Sequence, residues 1–466
     1  MTIPIKKICC IGAGYVGGPT MSVIADKCPD IQITVIDINT DKIKAWNTSD
    51  LSKLPIFEPG LSNIIKRCRG KNLHFSSEIK ENIAEADMVF ISVNTPTKTK
   101  GIGAGEAIDL KWIEASARQI SKYATGNTIV VEKSTLPIKT GETIKKILEA
   151  DNSKNSTKIP RRFSVLSNPE FLAEGSAIKD LEEPDRILIG GEDNLSINSL
   201  INIYSRWVSR NKIITTNLWS AELSKLIANA FLAQRISSIN SITALCEITD
   251  SSIKEVSNAV GSDKRIGDLF LKAGPGFGGS CFKKDILNLV YICNYYGLNE
   301  VADYWRKVIE INNWQKDRIV KIIVKNLFGN LSEKTLTILG FSFKANTNDT
   351  RESPALDICK KLLNEGANIK IYDPKVSEER ISMDFNDDLS QFKRDKWEKS
   401  TTIYEACENS DAVIILTEWN EFRVIDWEKV SLIMRKPSWI FDTRNISNLE
   451  NARNYGINVW SLGEVE

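Results

Sequence analysis

The stretch IKKICCIGAGYVGGPT (5–20) decides the fold. An apolar run over 5–11 gives way to Gly12-Ala13-Gly14-Tyr15-Val16-Gly17, and a helical pattern follows to about Ala25. A strand, a Gly-x-Gly-x-x-Gly turn and a helix in that order make the fingerprint of a dinucleotide-binding unit. Gly12 allows the tight turn, Gly14 lets backbone approach a pyrophosphate, and Gly17 lets the helix close on the strand. The helix N-terminus adds N–H groups and a positive dipole end for the phosphates. The next strand, 31–36, ends at Asp37, at the offset from Gly17 that the fingerprint requires. A carboxylate there accepts hydrogen bonds from the adenosine ribose and repels a 2′-phosphate, so NAD is expected, with Lys42 part of the same site.

Working outward, the first third alternates β-branched runs with helical patterns, which reads as a parallel sheet. Strands are predicted over 5–11, 31–36, 88–93, 128–132, 163–166 and 186–189, and helices over 102–123 and 140–149. The polar run 151–162 reads as a surface loop. From about Trp219 the pattern turns helical, with long helices over 221–248 and 301–327 whose apolar positions repeat at three and four residues. A second α/β pattern follows, with strands over 335–339, 369–372, 412–416 and 439–441 and a helix over 354–364. The polar stretch 378–401 reads as a tolerant insertion. The expected architecture is α/β. Two Rossmann-like, doubly wound sheet domains, 1–218 and 329–466, are joined by a long central helix and helical connector, 219–328, suited to an oligomer interface.

Composition narrows the class. Of 466 residues, 42% are hydrophobic and 26% charged, an ordinary globular balance with ample core. The net charge of +1 shows no basic excess of the kind that nucleic-acid or anionic-membrane binding usually brings, so neither partner is expected. Any bound anion must be met by cations concentrated locally. No apolar run approaches the roughly 18 residues that span a bilayer. Nine cysteines without regular spacing, and no signal-like N-terminus, fit reduced thiols in the cytoplasm. Cys9 and Cys10 lie in an apolar strand and read as inert core. No Cys-x-x-Cys pair occurs, and the single histidine, His74, sits in the alternating LHFSS, so neither a metal site nor a histidine base is expected.

Beyond the glycine turn, two more strand ends carry polar caps, Val93-Asn94-Thr95-Pro96 and Lys133-Ser134-Thr135. Ligands collect at the carboxyl ends of strands in such a sheet, and repetition along one edge favours cofactor contact over two separate turns. Asn168-Pro169-Glu170-Phe171-Leu172-Ala173-Glu174-Gly175 is too polar for packing alone. Lys225 and Asn229, four apart on the long helix, share a face of apolar and small residues; a solvated stripe is the plain alternative. The densest segment is Gly274-Pro275-Gly276-Phe277-Gly278-Gly279-Ser280-Cys281-Phe282-Lys283-Lys284-Asp285. Its glycines let backbone close around a ligand. Cys281 then opens a helix whose dipole, with Lys283 and Lys284, favours the thiolate, the alternative being a small helix-start residue. Simple alcohol oxidation needs only a base and a hydride acceptor. A thiolate is useful when an aldehyde must be trapped as a thiohemiacetal and oxidised again to a thioester, which water then opens. The expected substrate is a primary alcohol, oxidised by four electrons with two NAD per turnover.

Together CCIGAGYVGGPT (9–20), FISVNTPTKT (90–99), VLSNPEFLAEGSAIKDL (165–181), ELSKLIANAFLAQRISSIN (222–240), KAGPGFGGSCFKKD (272–285), GFSFKANTNDTRES (340–353) and IYDPKV (371–376) resemble the UDP-glucose/GDP-mannose dehydrogenase family, in its animal-type branch, over essentially the whole chain. The resemblance implies oxidation of UDP-glucose to UDP-glucuronate. It gives Cys281 the role of nucleophile and Glu170 that of the base activating water on the thioester. Lys225 would stabilise oxyanion character at the sugar C6, Asp285 and Thr135 would order a water, and Asn229 would join the oxyanion hole. The first-step base stays open between Lys225 and the water at Asp285. Nucleotide-sugar contacts are implied for Glu170, Phe171, Leu172, Ala173, Glu174, Lys225 and Asn229. Lys272, Phe277, Gly278, Phe343, Lys344 and Arg444 would complete them. Ala13, Tyr15, Val16, Val93, Asn94, Thr95, Ser134, Thr135, Glu174, Lys284 and Arg351 would meet the cofactor. Arg265 resembles an arginine that reaches into a neighbouring subunit's site, which implies at least a homodimer, or a hexamer built as a trimer of dimers. A UDP-N-acetyl-hexosamine or GDP-mannose substrate, and an inactive nucleotide-sugar sensor, are the competing readings; the intact Cys281, Lys225, Glu170 and Asp285 argue against the sensor. The second sheet domain has Gly340-Phe341-Ser342-Phe343-Lys344 in place of the glycine fingerprint, so it is expected to hold the uridine nucleotide rather than a second NAD.

Overall fold

The apolar run at the start of the quoted stretch forms β1 (Lys7–Ile11), buried from its second residue onward. The structure, a computed structural model, describes residues 2–152, 161–386 and 396–464. The chain divides into two units, Met1–Ala228 and Asn229–Glu466.

In the first unit β1 is joined by β2 (Gln32–Ile36), β3 (Leu73–Ser76), β4 (Met88–Ile91), β5 (Thr128–Glu132), β6 (Phe163–Ser167), β7 (Ile187–Gly190) and β8 (Ile213–Thr216). Their order in the sheet is β3-β2-β1-β4-β5-β6-β7-β8, parallel throughout except between β6 and β7. Every residue of β4 and β5 is buried, as befits central parallel strands covered on both faces. The order reverses between β1 and β4, and in a doubly wound sheet that switch point is where ligands bind, outside the strands' carboxyl ends.

The second unit carries β9 (Thr335–Leu339), β10 (Asn368–Tyr372), β11 (Trp397–Lys399), β12 (Ala412–Ile415), β13 (Trp439–Asp442) and β14 (Asn458–Ser461). They form a parallel sheet in the order β11-β10-β9-β12-β13-β14, with its own switch point between β9 and β12. The helix Leu218–Ile248 begins in the first unit and continues into the second. Helices Phe282–Tyr295 and Asn299–Asn326 follow it. Ile319, Ile323 and Leu327 seat the end of the last one in the core around Leu336, Ile338, Ile358 and Leu362. The expected pair of Rossmann-like sheets and the long central helix are therefore present.

Three expectations need correction. The helix expected over 102–123 starts only at Lys111. Before it, Gly101, Gly103 and Gly105 all take positive φ, and an antiparallel bridge joins Thr97 to Ile108, so this stretch is a glycine-built loop. At 151 and 152 the expected loop is helix instead, because Thr140–Asn152 runs on past its start; 153–160 lie outside the described residues. The polar stretch 378–401 is partly structured: Ile381 and Phe385, one turn apart on the helix Glu378–Asn386, enter the core, and β11 follows. Residues 387–395 lie outside the described residues. Among the described residues no helix is long and apolar enough to cross a membrane.

Candidate active site

The cofactor half is built from strand ends of the first unit. Gly12 follows β1 at φ +109°, in the region that favours glycine. A Cβ on Gly17 would lie 2.0 Å from the Gly12 carbonyl oxygen, which is why the helix Gly17–Lys27 can sit so close to the turn. At Gly14 a Cβ would meet nothing within 4 Å, so the backbone there faces open space. Asp37 accepts from the Ala13 N–H at 3.0 Å and the Asn39 N–H at 2.9 Å, and Lys42 Nζ lies 3.0 Å from the same carboxylate. Lys42 is thus neutralised by Asp37 instead of standing ready for a 2′-phosphate. A cavity of about 310 Å³ is lined by Gly12, Gly14, Asp37, Lys42, Val93 and Asn94, among others. Ser134 Oγ donates to the Val93 carbonyl at 2.7 Å and Thr95 Oγ1 to the Thr135 carbonyl at 3.2 Å, which ties the two polar caps together. Tyr15 and Val16 are half-buried. Open backbone at Gly14, a carboxylate at the second strand end and this cavity fit the adenosine diphosphate part of NAD. Sequence reasoning missed Trp46, whose Nε1 donates to the Ala13 carbonyl at 3.0 Å, and Gly18, where a Cβ would lie 2.3 Å from that indole.

At the end of β6 stands Glu170. One of its oxygens accepts the N–H groups of Phe171 and Leu172 at 2.8 and 3.1 Å, and the other lies 2.9 Å from Lys133 Nζ and 3.5 Å from Thr20 Oγ1. Burial alone would raise the Glu170 pKa, but Lys133, the Phe171 N–H and Lys225 outweigh it and hold the carboxyl below its usual range. Lys133 is fully buried and also donates to Asn168 Oδ1 at 3.1 Å and Tyr204 OH at 3.3 Å. Lys225 is buried, with its Nζ 5.2 Å from the Phe171 ring centre; Arg186 stacks 3.9 Å from the same ring. The solvated-stripe alternative for Lys225 and Asn229 therefore fails, since both are buried. Leu172 packs against the core, Ala173 is exposed with its N–H on Asp180 at 2.8 Å, and Glu174 is half-buried. Directly before Lys133, Glu132 is buried and neither of its oxygens accepts a hydrogen bond. Burial, with Glu222 nearby, pushes its carboxyl well above the ordinary range. Glu222, also raised by burial, accepts the N–H groups of Lys139 and Gly141 at 2.6 and 2.7 Å.

In the second unit, Cys281 is the exposed member of nine free cysteines and sits at the N-cap of the helix Phe282–Tyr295. Cys9 and Cys10 are buried in β1, and burial pushes the Cys10 thiol up to about 12. Lys283 is paired with Glu352 at 2.8 Å, so its charge is shared away from the thiol, whereas Lys284 lies 3.9 Å from Asp285. Asn229 Nδ2 donates to Asp285 Oδ2 at 2.6 Å, both side chains buried. The glycine loop is held by amides: Asn240 Oδ1 accepts the Gly274 N–H at 2.9 Å, and Asn312 pairs with both the N–H and the carbonyl of Phe277 at 2.8 and 3.1 Å. A Cβ on Gly278 would lie 2.5 Å from the Glu352 carbonyl, and the Gly279 N–H meets the Arg351 carbonyl at 2.9 Å, so this loop needs its glycines. Arg351 forks onto Asp349 at 2.7 to 3.0 Å.

The second sheet's switch point is built differently from the first. Asp373, after β10, accepts from the N–H groups of Phe341, Ser342, Lys375 and Val376 and from Trp419 Nε1. Its carboxylate is sealed inside, where Asp37 borders a cavity. Arg444 donates to the Leu416 and Phe343 carbonyls at 2.8 and 3.3 Å and pairs with Glu418 at 3.1 Å; its Nη1 lies 3.1 Å from where a Gly274 Cβ would be. Phe343 and Lys344 are half-buried, while Lys272 and Arg265 are exposed, Arg265 forked onto Asp263 at 2.6 Å. His74 is an exposed residue of β3. Among the described residues no group of three His, Cys, Asp or Glu side chains is arranged to hold a metal.

Comparison with known proteins agrees with this division of labour. The NAD binding domain of the UDP-glucose/GDP-mannose dehydrogenase family matches residues 6–208, its central domain 219–314 and its UDP binding domain 337–448. The chain is 53% identical to UDP-glucose 6-dehydrogenase 4 of Arabidopsis thaliana, covering 98% of this chain and 97% of that one. It is likewise 53% identical to UDP-glucose 6-dehydrogenase 1 of Glycine max, with the same coverage. A solved UDP-glucose dehydrogenase from the archaeon Pyrobaculum islandicum is similar over all of both chains, at 27% identity and a TM-score of 0.84. Matched in order by the family's three domains and by relatives over nearly its full length, the chain belongs to the UDP-glucose/GDP-mannose dehydrogenase family and uses NAD.

Proposed function

We propose that this chain oxidises UDP-glucose to UDP-glucuronate in two successive oxidations, with the sugar held on Cys281 between them. The observation that carries the reading is Cys281 itself, the one exposed thiol of nine, at a helix N-cap behind a loop of glycines. Identity above one half with enzymes named for UDP-glucose supports the substrate.

NAD, when bound, supplies the acceptor for each pair of electrons. The first oxidation turns the C6 hydroxymethyl group into an aldehyde, losing two electrons and two protons. The Cys281 thiolate adds to that carbonyl, forming the S–C bond of a thiohemiacetal, and the second oxidation leaves a thioester. Lys225 offers positive charge to oxygen as it becomes anionic at C6, and the Asn229 amide, fixed by Asp285, serves the same oxygen. Asp285 and Thr135 order a water. Glu170, held ionised by Lys133, takes a proton from the water that attacks the thioester; the C–S bond breaks and Cys281 leaves as thiolate. Lys272, Lys344 and Arg444 concentrate the positive charge that a nearly neutral chain needs for a diphosphate.

Three stretches divide the work: 1–218 for the cofactor, 219–328 for the central helices, and 329–466 for the uridine nucleotide. The matched family domains support that division. Self-association, as at least a dimer, is supported by an exposed aromatic patch. Phe231 on the long helix is 55% exposed and lies 5.6 Å from Trp305, which meets Tyr304, 54% exposed. Arg265, exposed, would then serve a neighbouring subunit's site. Nine unpaired thiols support a cytoplasmic setting. The test is stoichiometry. Two NADH should form per UDP-glucose consumed, with UDP-glucuronate as product; one NADH with free aldehyde accumulating would refute the two-step route.

A further inference from the structure

Lys133 enters the reaction as laid out above only as a charge beside Glu170, yet it is the most completely enclosed charge in the first unit's site, its side chain 1% exposed. A buried ammonium is costly unless fully partnered. Its three partners come from two other parts of the chain: Glu170 at 2.9 Å and Asn168 Oδ1 at 3.1 Å from the segment after β6, and Tyr204 OH at 3.3 Å. Tyr204 in turn donates to Asn168 Oδ1 at 2.6 Å, and Asn168 Nδ2 is anchored on the Leu188 carbonyl at 2.8 Å. The ammonium therefore sits in a rigid three-point seat, one point of which is a single oxygen of Glu170. The other oxygen is fixed by the Phe171 and Leu172 N–H groups.

We propose that Lys133, seated by Tyr204 and Asn168, is the positioning residue for Glu170, fixing the rotation of its carboxylate and keeping it a base at neutral pH. This rests on the reading of Glu170 as the base that activates water on the thioester. The groups facing the carboxylate are Lys133 from the end of β5, Thr20 from the helix Gly17–Lys27, Lys225 from the long helix and the two backbone N–H groups. Of these, Lys133 is the closest charge. With it gone, burial becomes the dominant influence and raises the Glu170 pKa, so the base would be protonated at neutral pH and recover only in alkali. Tyr204 acts through the lysine: without its hydroxyl, Lys133 loses one anchor and holds Glu170 less firmly.

The test uses the full enzyme with UDP-glucose and NAD, following kcat against pH and the covalent adduct on Cys281 by intact mass. Lys133→Met should move the acidic limb of the kcat profile up past neutrality, lowering turnover at neutral pH about tenfold, with recovery in alkali. The KM for UDP-glucose should change little, and the thioester adduct should accumulate. Tyr204→Phe, which keeps the charge and loses only the hydroxyl, should shift the limb in the same direction by less. A profile for either variant that superimposes on the parent's would overturn the proposal, and Tyr204→Phe carries the decision if Lys133→Met does not fold. Glu170→Gln separates the two readings. If it turns over normally, the base reading fails; if it is inactive while Lys133→Met keeps the parental profile, the positioning role alone fails.

Discussion

A carboxyl group that accepts no hydrogen bond lies one residue before the lysine that holds Glu170, and its protonation ties stability to pH. Glu132 is buried and raised well above the ordinary 4.5, so the folded chain keeps a proton that the unfolded chain gives up. Between those two values the native state binds more protons, and stability falls as pH rises through that window. Glu132→Gln keeps the shape and polarity of the side chain and removes the titration. It should match the parent below about pH 4.5 and exceed it in stability near pH 8. Urea denaturation at the two pH values reads this directly, and equal or lower stability at the higher one would refute it. The same neighbourhood shows what a sequence reveals at this scale. Cys281 could be singled out because its glycines and its helix start are adjacent in the chain. Lys133 could not, because after an apolar strand it reads as part of a polar cap, and its partners Asn168 and Tyr204 lie 35 and 71 residues away. Lys283 misled for the same reason: Glu352, which pairs with it, is 69 residues distant.

Among the elements, the β1 turn and its helix stand out for how little room they leave. A Cβ on Gly17 would fall 2.0 Å from the Gly12 carbonyl and 3.1 Å from the Ser92 Cβ, both on fixed backbone or short side chains. Gly17→Ala should therefore cost about 1–3 kcal/mol in stability and weaken NAD binding by pushing the helix N-terminus away from its seat. Thermal unfolding and an NAD titration monitored by tryptophan fluorescence measure both, and an unchanged affinity would argue against the tight seat. Central strands such as β4, β5, β9 and β12 were readable because burial on both faces makes them continuous apolar runs. The short strands β3, β8, β11 and β14 were not anticipated. LHFS and IITT are four residues long and half exposed, too short for period to distinguish strand from loop. The helix expected from 102 failed on Gly101, Gly103 and Gly105, whose positive φ suits a loop and not a helix.

For the molecule as a whole, the repeat of an α/β pattern on either side of a helical middle was plain in the sequence, and the two sheets follow it. The division between units was not, since it falls at Ala228 and Asn229 inside one unbroken helix, where periodicity gives no sign. Self-association belongs to this scale. Phe231→Glu places a charge on the exposed aromatic patch and should lower the sedimentation coefficient at micromolar concentration, with no loss of secondary structure. A species of parental size would remove that patch from any interface.

Asp37 and Asp373 occupy matching places after the second strand of each sheet, yet the first lines a cavity and the second is buried. Because the second carboxylate is buried and already accepts four backbone N–H groups, the Ser342 hydroxyl and the Trp419 indole, the adenosine half of a dinucleotide has no ribose partner to find there. The enzyme is in this way insulated from its own coenzyme. Raising NAD far above saturation should not produce inhibition competitive with the nucleotide sugar, and turnover should stay flat where a chain with two open fingerprints would begin to fall.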